Sequence, residues 1–337
     1  MLYHTSLRAY WNGAIIEKDL DPKSLSHSML NNMINPYIYV KQNNHVNCSL
    51  KEATSLWEHY AVDFPSAFEA KHLGKSRIMG EYLIPRAKEK VPLAIIIHGM
   101  GARSVTPCRL MARTLAKKGI ASFILYLVLH AYRAPESIKG KYSSLTDEEW
   151  FESYQMSVID IRQVIDWAGS RPEIDLDKIS VAGISFGGLV SSIAMALDDR
   201  IKAGVFIVCG GNSEKMTRHS LLLRWKYKIK EADYIRNQET YKRYLAQVAE
   251  KGFENIISCK QSYLTDPATF SSYIKNRPVL MMNALWDEMI PRVATLDLWE
   301  AYGKPSIKWY PATHASIWMW YPFMGPAIAR FLTSSFE

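Results

Sequence analysis

From Val91 onward the apolar positions fall into a regular beat of short buried runs and longer amphipathic stretches. Residues 93–97 form an unbroken run rich in isoleucine, the pattern of a parallel strand buried on both faces. Thr106 and Pro107 then supply an N-cap and first-turn proline, Leu110, Met111 and Leu115 make one apolar stripe, and Lys117-Lys118-Gly119 closes the helix. A strand follows over 120–128. Thr146 and Glu149 box the start of a long helix whose Trp150, Tyr154, Val158, Ile161, Ile165 and Ala168 share a face. Further strands are expected over 179–184, 203–209, 279–284 and 306–310, with helices from Gly187, over 291–302 and over 322–332. Such alternation predicts an α/β fold with a mostly parallel central sheet and helices on both faces.

Two segments depart from the beat. Residues 1–62 read as a mostly helical extension, with Ser49 and Glu52 spaced as a capping box ahead of Leu50, Ala53, Leu56, Trp57 and Tyr60. Between them and the first parallel strand, apolar runs on either side of His72-Leu73-Gly74-Lys75 predict a hairpin over 64–86. Residues 211–277 are helically patterned without a strand, so they are expected as a helical cap inserted after the sixth strand. The core is then 63–210 with 278–337.

Composition narrows the class. A chain of 337 residues with 48% hydrophobic and 22% charged residues is a globular protein able to build its own core, which excludes disorder and coiled coil. Cys48, Cys108, Cys209 and Cys259 are widely spaced, with no metal-ligand pattern, which predicts neither a disulfide framework nor a metal site and points to a cytoplasmic setting. No basic-then-apolar leader is visible at Met1-Leu2-Tyr3-His4. The uncharged stretch 179–197 is long enough to suggest a membrane span, but its glycines and serines fit a strand, turn and helix better, so no membrane partner is expected. The net charge of +8 is concentrated in 211–277, read as a solvated helical face, and no nucleic-acid module accompanies it.

The chemistry lies at the ends of the predicted strands. Gly183-Ile184-Ser185-Phe186-Gly187 is a G-x-S-x-G pentapeptide between a strand and a helix, where a serine nucleophile can sit on a tight turn. A serine needs a base held by a carboxylate, and Asp287 and His314 follow the next strands in the order Ser, Asp, His. Asp287 is preferred over Glu288 because it comes first after its strand and stands four residues before Pro291. The backbone N–H groups of Met100, in His98-Gly99-Met100-Gly101, and of Phe186 are the expected oxyanion donors, with His98 pinning its own turn. His130, Arg133 and Trp225 are candidate substrate-binding residues. For Arg133 the competing role is a salt bridge to Glu136 or another acid.

From about Ile78 the chain resembles α/β-hydrolases of the serine esterase type. Asp166-Trp167, the run Ser170-Arg171-Pro172-Glu173-Ile174-Asp175, Gly183 to Gly188, and Arg277-Pro278-Val279-Leu280 leading to Asp287 resemble the dienelactone-hydrolase-like and acetyl-xylan-esterase-like branch. The resemblance implies an eight-stranded fold, no cofactor, and hydrolysis of a small-molecule carboxylic ester through an acyl-enzyme. Dienelactone hydrolases carry cysteine where this chain has Ser185. A peptidase or acyltransferase with the same triad, or a non-catalytic binding protein of the same fold, is the competing expectation, and a homodimer is left open.

Overall fold

The structure is a computed structural model that describes residues 9–11, 14–16, 35–42, 45–73, 77–100, 104–129, 133–134, 145–225, 228–258 and 260–337. Two short strands, β1 (Ala9–Trp11) and β2 (Ala14–Ile16), pair with each other. The main sheet has nine strands, β3 (Asn47–Ala53), β4 (Trp57–Pro65), β5 (Arg77–Pro85), β6 (Val91–Ile97), β7 (Ala121–Tyr126), β8 (Ile174–Ile184), β9 (Ile201–Ile207), β10 (Val279–Ala284) and β11 (Ser306–Tyr310). Their order across the sheet is β11-β10-β9-β8-β6-β7-β5-β4-β3. Strands β6 to β11 run parallel, and β3, β4 and β5 continue the sheet antiparallel.

Helices cover both faces because the parallel strands are apolar on both sides. Ile95, Ile97, Phe123 and Val181 face helices α2 (Asp147–Ala168) and α3 (Phe186–Leu197), while Ala94, Ile96, Ile124 and Ala182 face α1 (Thr106–Ala116) and the C-terminal α8 (Tyr321–Ser334). Each such isoleucine, fully buried, is worth roughly 1.5–3 kcal/mol over its exposed state. Helix α2 begins at the expected capping box, with Thr146 and Glu149 each bonded to the other's backbone N–H. Its buried polar groups fasten the loops that cross it: Glu152 accepts from the amides of Lys71, His72 and Leu73, and Gln163 from that of Ala67. Arg162 and Gln155 donate to the carbonyls of Tyr37 and Pro36.

The described part of the N-terminal segment differs from expectation. Ser49 and Glu52 do not cap a helix; they lie in β3, which is exposed along its whole length and pairs with β4. A cap adds only about 1 kcal/mol, less than a ladder of backbone hydrogen bonds to a neighbour whose Val62 and Phe64 are anchored in the core. Charged Lys51 and Glu52 blunt this edge against further pairing. The added strand makes the sheet nine-stranded rather than eight-stranded, and the 211–277 segment follows the seventh strand of the sheet rather than the sixth.

That segment contains α4 (Ser213–His219), α5 (Glu231–Lys251) and α6 (Gln261–Leu264). Its two ends are joined by the buried Asp266, which accepts from the amides of Asn212 and Ser213 at 3.0 and 2.6 Å and from that of Ala268. Burial pushes the Asp266 carboxyl up, and these amide bonds oppose the shift. Tyr241, Tyr244 and Val248 of α5 turn inward and join the core cluster that contains Phe186. Helix α7 (Arg292–Ala301) follows β10.

Candidate active site

Ser185 ends β8 and starts α3 with φ 52° and ψ −120°, a left-handed conformation that side chains rarely adopt. The turn is tight enough to require its glycines. A Cβ on Gly183 would lie 2.3 Å from the Gly187 carbonyl oxygen, and one on Gly187 would lie 2.5 Å from those of Ile97 and His98. The Ser185 amide donates to Ile207 O at 2.8 Å, fixing the turn to β9. Phe186 is buried with Tyr154 and Trp150, at ring separations of 4.9 and 5.4 Å. Val208, directly after β9, is a second left-handed residue at the same edge.

Pairing between β10 and β11 continues beyond the strands, as Leu285 N donates to Tyr310 O and Trp286 N to Ala312 O. That register carries Asp287 and His314 to the same place. Asp287 Oδ1 and Oδ2 each lie 2.9 Å from His314 Nδ1, and His314 Nε2 lies 2.9 Å from Ser185 Oγ. Asp287 is itself held, since its Oδ1 accepts the amides of Met289 and Ile290 at 2.9 and 2.7 Å. With Nδ1–H donating to the carboxylate, Nε2 is left to accept the serine proton. Glu288 does not touch the imidazole. Its Oε2 accepts the backbone N–H of His314 at 3.0 Å, a role that residue spacing alone did not suggest.

The other candidates divide. The loop carrying Met100 passes beside the serine, and a methyl on Gly99 would come within 3.5 Å of Ser185 Cβ. His98 is buried, its Nε2 accepting Leu127 N–H at 3.0 Å and its Nδ1 lying 2.7 Å from Gly99 O, so it pins this turn to the end of β7. Arg133 takes the salt-bridge role. Its guanidinium is buried, donating to Asp160 at 2.9 Å and to Tyr126 O at 2.6 Å, so its charge is already matched inside the protein. The partner seen is Asp160 on α2; Glu136 lies outside the described residues, as does His130. Trp225 stands 70% exposed, with Arg224 over its ring. A hollow of about 520 Å³ lined by Glu58, Arg86, Lys88, Arg171 and Glu173 opens at the amino edge of the parallel strands, opposite the serine. Among the described residues no group of three His, Cys, Asp or Glu could hold a metal ion, and no helix is long and apolar enough to cross a membrane.

Residues 42–320, a range that includes Ser185, Asp287 and His314, match the family model of acetyl xylan esterase. The chain belongs to the acetyl xylan esterase family. Its fold is that of the α/β-hydrolases, as the resemblance implied. Among solved structures, the acetyl xylan esterase from Paenibacillus sp. R4 superposes with a TM-score of 0.61 at 19% identity, covering 87% of this chain and 89% of that one. Acetyl xylan esterase 1 from Thermoanaerobacterium sp. JW/SL YS485 gives 0.59 at 17% identity, covering 92% and 93%. An uncharacterized protein of Mycobacterium tuberculosis is 24% identical over 183 residues, which are 54% of this chain. The chain spans only 37% of the length of that relative.

Proposed function

We propose that this member of the acetyl xylan esterase family hydrolyses carboxylic esters of short to medium acyl chain through an acyl-enzyme on Ser185. Ser185 Oγ attacks the ester carbonyl as its proton passes to His314 Nε2, and Asp287 holds the imidazole and balances its charge. His314 then returns the proton to the departing alcohol oxygen. Water, deprotonated by the same nitrogen, attacks the acyl-enzyme carbonyl and releases the acid and free Ser185. The amides of Phe186, at the start of α3, and of Met100 hold the developing oxyanion. The observation that carries this reading is the unbroken hydrogen-bonded line from Ser185 Oγ through His314 to Asp287, with each link at 2.9 Å. A small acyl group is supported by the family's name.

A fluorophosphonate probe tests the assignment. One phosphonyl group is expected on Ser185 by mass measurement, and Ser185→Ala is expected to lose both labelling and hydrolysis of p-nitrophenyl acetate, by roughly 10⁴-fold or more. A fully active alanine variant would overturn the reading.

A further inference from the structure

Half of the large hydrophobic side chains exposed among the described residues stand on segments that leave the carboxyl ends of the parallel strands around His314. The most prominent are Trp225 at 70%, Trp286 at 64%, Met319 at 80% and Phe323 at 65%, with Leu221 and Leu222 close to Trp225 in the chain. Hydrogen bonds tie these segments to one another. Leu222 N and Ser220 Oγ donate to Glu288 O, Trp286 N to Ala312 O, and Trp320 Nε1 to Pro311 O. The Trp320 ring in turn lies 5.7 Å from that of Phe323. Scattered exposed hydrophobics need no explanation, but a group of them on segments tied together marks a contact surface.

The charge beside the patch says what it contacts. Arg224, Lys228 and Lys230 are exposed on the same stretch as Leu221, Leu222 and Trp225. Several acids of this region are matched by cations of their own, Glu231 by Arg218, Asp233 by Arg236 and Asp297 by Lys215. Asp287 and Glu288 are bonded to His314. Exposed tryptophan and aliphatic side chains flanked by uncompensated lysine and arginine suit a bilayer interface, where the rings enter the headgroup region and the cations meet anionic lipid. We infer that this face rests on an anionic phospholipid bilayer. The expectation of no membrane partner came from the lack of a spanning segment, and a peripheral contact requires none. Docked in this way, the face would turn the loops around Ser185 and His314 toward esters at the membrane surface. That consequence rests on the proposed function, whereas the contact itself does not.

Co-sedimentation with vesicles tests the contact without any turnover. The full chain is expected to bind phosphatidylcholine vesicles containing about 30% phosphatidylglycerol at least ~10-fold tighter than pure phosphatidylcholine, with the difference shrinking at high salt. Lys228→Gln with Lys230→Gln is expected to weaken that binding by roughly 10-fold or more while leaving hydrolysis of a soluble ester unchanged. Met319→Ser with Phe323→Ser, both exposed and checked for an unaltered melting temperature, is expected to reduce binding further. Ser185→Ala is expected to bind as the unmodified chain does, so failure of the esterase reading would leave this result intact. Failure to sediment with either vesicle, or binding indifferent to phosphatidylglycerol, would overturn the proposal. A dimer in ultracentrifugation that Phe323→Ser dissociates would also overturn it, assigning the face to a second copy of the chain.

Discussion

The carboxylate of Glu288 holds the backbone of His314 at 3.0 Å, while the carbonyl of the same glutamate accepts the Ser220 hydroxyl at 2.9 Å. One residue thus ties the histidine loop to the acid loop and to the 211–277 segment. The two neighbouring acids have separable jobs, one on the imidazole and one on the main chain. Asp287→Asn is expected to lower kcat by roughly 10³–10⁴-fold, because the amide cannot hold the required tautomer. Glu288→Gln keeps an acceptor oxygen for the His314 N–H and is expected to cost only several-fold. Glu288→Ala removes the acceptor and is expected to cost about 10–100-fold in kcat with little change in KM. The reverse ranking of Asp287→Asn and Glu288→Gln would give the orienting role to Glu288.

The serine turn makes a stability prediction of its own. A methyl on Gly187 would meet two carbonyl oxygens of the β6 end at 2.5 Å, and backbone cannot swing aside as a side chain can. Gly187→Ala is expected to cost roughly 2–4 kcal/mol in urea denaturation and to abolish fluorophosphonate labelling. Gly99 is the control. Its added methyl would sit in ordinary contact at 3.5 Å from Ser185 Cβ, so Gly99→Ala is expected to cost less than about 1 kcal/mol. Similar melting temperatures for the two variants would contradict this account of the turn.

Where the chain was readable, local and tertiary preferences agreed. The strands expected over 279–284 and 306–310 have those bounds: the apolar run 279–284 is buried along its whole length, and 306–310 pairs with it as the edge of the sheet. Thr146 and Glu149 cap a helix, whereas Ser49 and Glu52, at the same spacing, lie in a strand. The difference is the neighbour. Strand β4 offers residues 47–53 a ladder, and nothing in a three-residue spacing reports that ladder. Ser185, Asp287 and His314 could be found because each follows a strand end. The Glu288 contact depends on how two loops close 26 residues apart, and the Asp160 partner of Arg133 lies on a helix 27 residues away. Neither separation has a sequence signature.

Esters of small acids are the expected substrates. Activity on p-nitrophenyl esters should be highest within roughly C2 to C6, since overfilling a closed pocket costs more than the ~0.8 kcal/mol that each buried methylene returns. Trp225, being 70% exposed, is expected to affect KM for the longer esters and not kcat for the acetate. A chain-length series of kcat/KM on the unmodified chain and Trp225→Ala checks both statements. A profile still rising at C12 would refute the size limit.

Acid sensitivity is expected to come in part from Glu81 of β5. Its buried carboxylate meets His59 Nε2 at 3.0 Å, Arg109 at 2.8 and 2.6 Å, and the Tyr126 hydroxyl. Burial alone would push this carboxyl up. The bonds to His59, Arg109 and Tyr126 outweigh burial and hold it at about 2, against an ordinary 4.5. A carboxylate lowered on folding contributes stability that is present above its unfolded value and is lost as pH falls through the folded one. The window is therefore about pH 4.5 down to about 2. With Arg109 43% exposed and partly screened, the contribution is about 2 kcal/mol rather than the full value of the shift. Glu81→Gln, which cannot ionise, is expected to be less stable than the unmodified chain at pH 6. Its loss of stability between pH 5 and pH 2 should be smaller by about 2 kcal/mol, measured by urea unfolding at each pH. Parallel pH profiles for the two proteins would show that the Glu81 carboxylate is not the group that carries this acid limb.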